Sequence, residues 1–189
     1  MEDLVLVGFG GHGKSVADTI EREGKYHIVG YTDVSKVISK YEYLGTDDNL
    51  RQIFDSGIRN AAIGIGYLGK GIIRQKIYSR LKEIGFKLPV MIDPSAVVSS
   101  SATIGEGTFI GKGTIINAEA KIGKMTIINT KALVEHECMV GDFTHVAVGA
   151  VLCGQVDVGE YAFIGANATV IQCRKVEPYK IIPAGVTIR

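Results

Sequence analysis

Residues suited to acid–base chemistry stand side by side at Glu135-His136-Glu137, where one imidazole lies between two carboxylates. An imidazole oriented by a carboxylate takes a proton from an attacking amine or hydroxyl near neutral pH. His145 follows nine residues later. A second cluster opens the chain: Gly8, Gly10 and Gly13 fit GxGxxG between a predicted strand and a predicted helix, with Asp33 twenty residues beyond the last of them. Such a turn lets backbone N–H groups and a helix N-terminus approach phosphates, which serves any nucleotide diphosphate and not NAD alone. His12, inside the turn, reads as a binding residue rather than a catalyst. Cys138, Cys153 and Cys173 are odd in number and lack a CxxC spacing. They read as reduced packing residues, and neither a disulfide frame nor a metal site is expected.

The elements that must position these groups follow from two periods. From residue 92 onward every sixth residue from Val98 and Ile104 through Ile182 and Ile188 is aliphatic, sixteen positions without a miss. Chance alignment has a probability on the order of 10⁻⁹. A helix would scatter those positions around its axis. A small residue stands two places before the aliphatic, as at Ala96, Ala102, Thr108 and on to Ala162 and Ala168, and glycine follows it at Gly105, Gly111, Gly123, Gly141, Gly159 and Gly165. Each hexad is one short strand and one corner that benefits from a missing Cβ. Three strands make an 18-residue triangular coil, stacked on the next about 4.8 Å away; the hexads make about five coils. Glu135-His136 replaces the ordinary corner chemistry, and a local rule broken is a candidate for function. His145 lies half a coil from His136, so the two face different sides and share a ligand only if a neighbouring subunit brings its own face. Gly154, eighteen residues after His136, stacks over it and leaves room.

Residues 1–90 instead alternate apolar runs with helical patterns: Leu4–Val7, Ser15–Arg22, His27–Tyr31, Asp47–Phe54, Asn60–Gly66 and the helix from Ile72 to Gly85. The order is βαβαβα with parallel strands. Three strands, and at most a fourth at Lys87 to Met91, make half of a dinucleotide fold. The chain therefore divides into residues 1–90 and 91–189. A net charge of +1 supplies no field for nucleic acid or an anionic membrane, the apolar runs are far too short for a bilayer span, and Met1-Glu2-Asp3 does not begin a secretory signal. A cytoplasmic location is expected.

The hexads resemble the left-handed β-helix of the hexapeptide-repeat acyltransferases, whose members commonly form trimers. The start Gly8-Phe9-Gly10-Gly11-His12-Gly13 joined to those repeats, with Asn129-Thr130, Glu135-His136-Glu137-Cys138 and Gly141-Asp142-Phe143-Thr144-His145 within them, resembles the NeuD/PglD family of sialic acid O-acetyltransferases and nucleotide-sugar N-acetyltransferases. The resemblance implies an α/β half-Rossmann domain followed by a left-handed parallel β-helix, with acetyl-CoA as co-substrate. It implies direct transfer to the amino group of a nucleotide-linked amino-deoxysugar used for surface glycans, His136 as general base and Glu137 as the group raising its basicity. It places the nucleotide-sugar on Gly10, Gly11, His12, Asp33, Gly66 and Asn129, and the coenzyme on His145, Gly154, Ala166 and Ala184, in a groove between the subunits of a homotrimer. Similar proteins continue past Ile188-Arg189 through another hexad and a Pro-Ala-Lys type tail, of which Pro183-Ala184-Gly185 is taken as the reduced counterpart. Two alternatives stay open: O-acetylation of a sugar hydroxyl with the same base, and a nucleotide-sugar-binding β-helix without catalysis. An NAD-dependent reductase would need a Tyr/Lys or Cys constellation that the sequence does not offer.

Overall fold

The computed structural model describes residues 1–67 and 71–189. The N-terminal part is a three-stranded parallel sheet in the order β2-β1-β3, formed by β1 (Glu2–Val7), β2 (Tyr26–Thr32) and β3 (Asn60–Ile63). Helices α1 (Gly11–Glu23), α2 (Leu50–Asp55) and α3 (Ile72–Ile84) connect and flank it. Leu4, Val5, Leu6 and Val7 are all fully buried because both sheet faces are covered, which is why β1 reads as an unbroken apolar run. The fourth strand placed at Lys87 to Met91 does not form. Lys87 makes one isolated bridge to Asn60, and Met91–Ile92 belongs to the next element.

From Met91 the chain winds into a triangular parallel β-helix of two-residue strands on three flat faces, with six, six and five strands. Residues eighteen apart pair in register, as in Ile128 with Val146 and Val134 with Leu152. The second residue of each strand points inward. Ile110, Ile116, Ile122, Ile128, Val134, Val140, Val146 and Leu152 form one continuous core with Ala120, Ala132, Cys138 and Ala150, each large aliphatic contributing roughly 1.5–3 kcal/mol on burial. Thr108, Thr126 and Thr144 replace alanine in that small column without leaving an unpaired hydroxyl, since each Oγ1 donates to a corner carbonyl at Gly123, Gly141 or Gly159.

Two kinds of glycine serve the corners. Those after the aliphatics are needed for close stacking: a Cβ on Gly141 would lie 2.5 Å from the backbone nitrogen of Glu160 in the next coil. The left-handed backbone falls elsewhere, at every sixth residue from Gly107 to Gly185, and ten of those residues are not glycine, including Glu119, Glu137, Gln155 and Cys173. Coil stacking over-determines that conformation, so it persists despite a cost of order 1 kcal/mol or more per residue.

The first residue of each strand points outward and gives each face its character. The first face presents Met91, Phe109, Ile127, His145, Phe163 and Ile181, of which the first four are buried beneath the N-terminal part and Ile181 is exposed. Met91, Phe109 and Ile127 join Phe9, Val16, Ile20 and Tyr67 in one cluster. Buried Asp93 pins α1 to the first coil, accepting from Thr19 at 3.2 Å and pairing with Arg22 and Lys112 at 3.4 Å. The second face carries Val97, Ile115, Leu133, Val151, Thr169 and Thr187; Val97 and Ile115 are exposed, and Leu133 and Val151 are half-buried. The third carries Thr103, Lys121, Met139, Asp157 and Lys175.

Candidate active site

Beyond β1 the backbone reaches Gly8 at φ 88° and starts α1 at Gly11, capped by Gly10. Gly8, Gly13 and Gly64 let three backbone segments touch: a Cβ on Gly13 or Gly64 would lie 2.4 or 2.2 Å from the Gly8 carbonyl oxygen. Gly10 and Gly11 have open space where a Cβ would go. They border a cleft of about 590 Å³ lined by Gly8, His12, Asp33, Thr46, Asp47, Asp48 and Gly66 among others, a volume that suits a small-molecule ligand. The N-terminus of α1 opens onto it with no acidic residue in its first turn, leaving the helix dipole and free N–H groups for an anion. Asp33 is already engaged, accepting from the backbone N–H of Phe9 and of Val34 at 2.7 Å each. Its carboxylate therefore shapes the glycine turn that it adjoins. Thr46, Asp47 and Asp48 also line the cleft, although in the sequence Asp47 and Asp48 stand only as the start of a helical pattern.

His12 lies at the floor of this cleft, edge-on to Phe109 with ring centroids 5.1 Å apart. Burial, and then the charges of Arg74 and His145, lower its pKa to about 3, so it is neutral at physiological pH. His145 is buried under Tyr67. A carbonyl only accepts, so His145 Nδ1 carries the proton and donates to the Tyr67 oxygen at 2.9 Å, leaving Nε2 to face the Asn129 amide nitrogen at 3.2 Å. Burial lowers its pKa to about 4 despite that bond. Tyr67 donates its hydroxyl to Ala162 O at 3.1 Å and also to Phe143 O, and buried Arg74 donates to Ile63 O, Ile65 O and Met125 O. Tyr67 and Arg74 thus tie the Gly64-Ile65-Gly66 loop to the β-helix. Neither stood out in the sequence, because their function depends on a contact between distant segments.

His136 and Glu137 occupy a different edge, the corner between the second and third faces, and both are exposed. His136 Nδ1 lies 3.0 Å from Glu137 Oε2. The carboxylate cannot donate, so the Nδ1–H tautomer is selected and Nε2 keeps a free lone pair. The bond to His136 and a second one from Gln155 lower the Glu137 pKa. Glu135 Oε2 accepts from the His136 backbone N–H at 3.3 Å. Gly154 stacks over the imidazole, and a Cβ there would sit 2.6 Å from Nε2. Cys138 points into the core with its Sγ toward Cys153 O at 3.1 Å, and burial raises its pKa.

The family model described as the PglD N-terminal domain matches residues 3–81. A histidine-to-alanine mutant of GDP-perosamine N-acetyltransferase from Caulobacter crescentus, in complex with CoA and GDP-perosamine, is 32% identical over 100% of this chain and 89% of its own, with a TM-score of 0.94. The acetyltransferase domain of PglB from Neisseria gonorrhoeae FA1090 is 31% identical over 100% of this chain and 92% of its own, with a TM-score of 0.93. The same domain in complex with acetyl coenzyme A is 30% identical over 99% and 92%, with a TM-score of 0.87. The chain belongs to the NeuD/PglD family of sugar acetyltransferases.

In this NeuD/PglD acetyltransferase the residues expected to bind and react fall on two edges. Asn129, Ala166 and Ala184 lie on the corner between the first and second faces, where Asn129 meets His145; His136, Glu137 and Gly154 lie on the corner between the second and third. The cleft adjoins the first face, which is the side of the triangle opposite the His136 corner. Within one chain the whole width of the β-helix separates the cleft from His136. His145 has both ring nitrogens occupied by Tyr67 and Asn129, so it reaches the outside through Asn129 rather than by its own ring.

Proposed function

We propose that the protein transfers the acetyl group of acetyl-CoA directly to the amino group of a nucleotide-linked amino-deoxysugar, with His136 as general base. The observation that carries this reading is the His136–Glu137 pair at 3.0 Å, which leaves Nε2 a free lone pair beneath a residue with no side chain. The sugar nitrogen attacks the thioester carbonyl carbon, and Nε2 accepts the nitrogen's proton as the C–N bond forms. The C–S bond then breaks and the proton passes to the departing thiolate of coenzyme A. No acyl-enzyme is needed. The similarity to a GDP-perosamine N-acetyltransferase supports an amino acceptor, and the glycine cleft with Gly10, Gly11, His12, Asp33 and Gly66 supports a nucleotide diphosphate handle.

The two edges flank the second face, whose Val97 and Ile115 are 65% and 40% exposed. We assign that apolar face to contact with a second copy in a homotrimer, where the His136 corner of one chain meets the Asn129 edge and cleft of the next. Acetyl-CoA would lie in that groove against Gly154 on one chain and Asn129, Ala166 and Ala184 on the other, with buried His145 acting on it only through the Asn129 side chain that it holds. The reading puts the protein in the cytoplasm with its acetyl donor, in the making of surface glycans. The test is coenzyme A release with a nucleotide-linked 4-amino sugar and, separately, with sialic acid. Turnover of the amino sugar is expected, with kcat falling about 10²–10⁴-fold in His136→Ala while the coenzyme still binds. Turnover of sialic acid alone would overturn the acceptor, and an unchanged kcat in His136→Ala would overturn the base.

A further inference from the structure

The His136 corner carries one more side chain aimed at the reacting pair. Its left-handed column reads Glu119, Glu137, Gln155 and Cys173, one residue per coil. Gln155 Nε2 lies 3.1 Å from Glu137 Oε2, and the Cys173 thiol lies 3.3 Å from Gln155 Oε1. Chemistry fixes which way this amide points. A carboxylate only accepts, so the NH₂ faces Glu137, and the amide oxygen is left for the thiol donor. Oε2 of Glu137 therefore receives two donors, His136 Nδ1 from its own corner and Gln155 Nε2 from the coil stacked on it.

We propose that Gln155 is a positioning residue for acetyl transfer: it holds the Glu137 carboxylate in one rotamer, and the carboxylate in turn fixes the tautomer and plane of His136. The proposal rests on the reading of His136 as the base. An exposed glutamate has three rotatable bonds and loses substantial entropy when ordered, so a single hydrogen bond to an equally exposed histidine leaves both mobile. Coil stacking sets the Gln155 backbone, at φ 59°, about one strand spacing from Glu137, and the ordering of its side chain is offset by two contacts, to Glu137 and to Cys173. One coil thus supplies Gly154 against the imidazole and Gln155 against its carboxylate. The Cys173 thiol, a weak donor, meets the amide oxygen on its other side.

Gln155→Met tests this, because it keeps the length of the side chain and removes both the donor and the acceptor of the amide. Met125 already occupies the same left-handed position at φ 56°, so the backbone accepts the change. Loss of one hydrogen bond of about 0.5–1.5 kcal/mol predicts a kcat about 2–10-fold lower, with KM for both substrates nearly unchanged. In a Glu137→Ala background Gln155→Met should cost nothing further, since the two residues act as one unit. Imidazole ¹⁵N spectra of the four histidines, with the His136 signals assigned by their loss in His136→Ala, should show the Nδ1–H tautomer of His136 depleted and His12, His27 and His145 unmoved. An unaltered tautomer in Gln155→Met, or the same loss of kcat with and without Glu137, would overturn the proposal. A fully active His136→Ala would instead sink the base assignment, while the tautomer spectra would still read the Gln155 contact.

Discussion

Gly154→Ala is a one-atom probe of the reacting imidazole. Gly154 is outside the left-handed column, so alanine fits its backbone. The new Cβ would lie 2.6 Å from His136 Nε2, 2.7 Å from Cε1 and 3.3 Å from Cδ2, with no backbone atom among those nearest neighbours. An ordinary contact needs about 3.5 Å, so the ring must retreat by roughly 0.9 Å at the nitrogen that takes the proton. The retreat works against the 3.0 Å bond between Nδ1 and Glu137 and moves Nε2 off the line of the incoming amine. A displacement near 1 Å costs about 10²-fold in rate, so kcat should fall on the order of 10²-fold. The exposed histidine absorbs the strain, so folding should change by no more than about 0.5 kcal/mol, or about 2 °C in Tm. Initial rates of thiol release at saturating substrates, beside a thermal melt, separate the two effects. A kcat within about 2-fold of the parent with an unchanged Tm would refute the geometry, because the base would then work from a position this contact does not touch.

Ile116→Asp should abolish folding, since Ile116 is 1% exposed inside the stacked aliphatic row and a carboxylate there has nothing to bond; a soluble chain with native circular dichroism would contradict the six-residue register. Gly11→Val faces open space at the cleft, so it should fold, raise KM for the sugar nucleotide and leave KM for acetyl-CoA nearly unchanged; equal losses would take the nucleotide out of the cleft. Burial holds His145 neutral down to about pH 4, against an ordinary value of 6.5. The unfolded chain therefore takes up a proton first as pH falls, and the stability present above pH 6.5 is lost progressively toward pH 4, about 2 kcal/mol of it by pH 5. His145→Asn should flatten the fall in Tm between pH 7 and pH 5, and parallel curves would show that His145 titrates normally.

The β-helix was legible because its core needs one aliphatic every sixth residue and tolerates no exception; all the positions from Ile110 to Ile182 entered the continuous core. The corner glycines were legible as positions that need a missing Cβ, whereas the left-handed backbone was not, because it falls at different residues that are mostly not glycine. Stacking of Gly154 on His136 followed from the 18-residue coil alone. The cover over His145 did not, because it depends on Tyr67 from the other half of the chain. A trace of it was nevertheless present: the outward residues of the first face, Met91, Phe109, Ile127 and Phe163, are bulky and apolar in one 18-residue column, whereas the third face has Thr103, Lys121, Asp157 and Lys175. Gln155 escaped notice for a simpler reason. It is one of many polar residues at corners, and only its distance to Glu137 distinguishes it.

In the proposed trimer one chain supplies the nucleotide cleft and its neighbour supplies His136. Mixing His136→Ala subunits, which keep a sound cleft, with Gly11→Val subunits, which keep His136, tests it at sugar concentrations far below the KM of the cleft variant. In trimers re-formed from equal amounts, about a quarter of the interfaces should pair a sound cleft with a sound histidine. Activity should then rise from near zero to about that fraction of the parent rate. Mixed trimers, verified by mass, that remain as inactive as either variant alone would place the cleft and His136 of a single chain in one site and contradict the account.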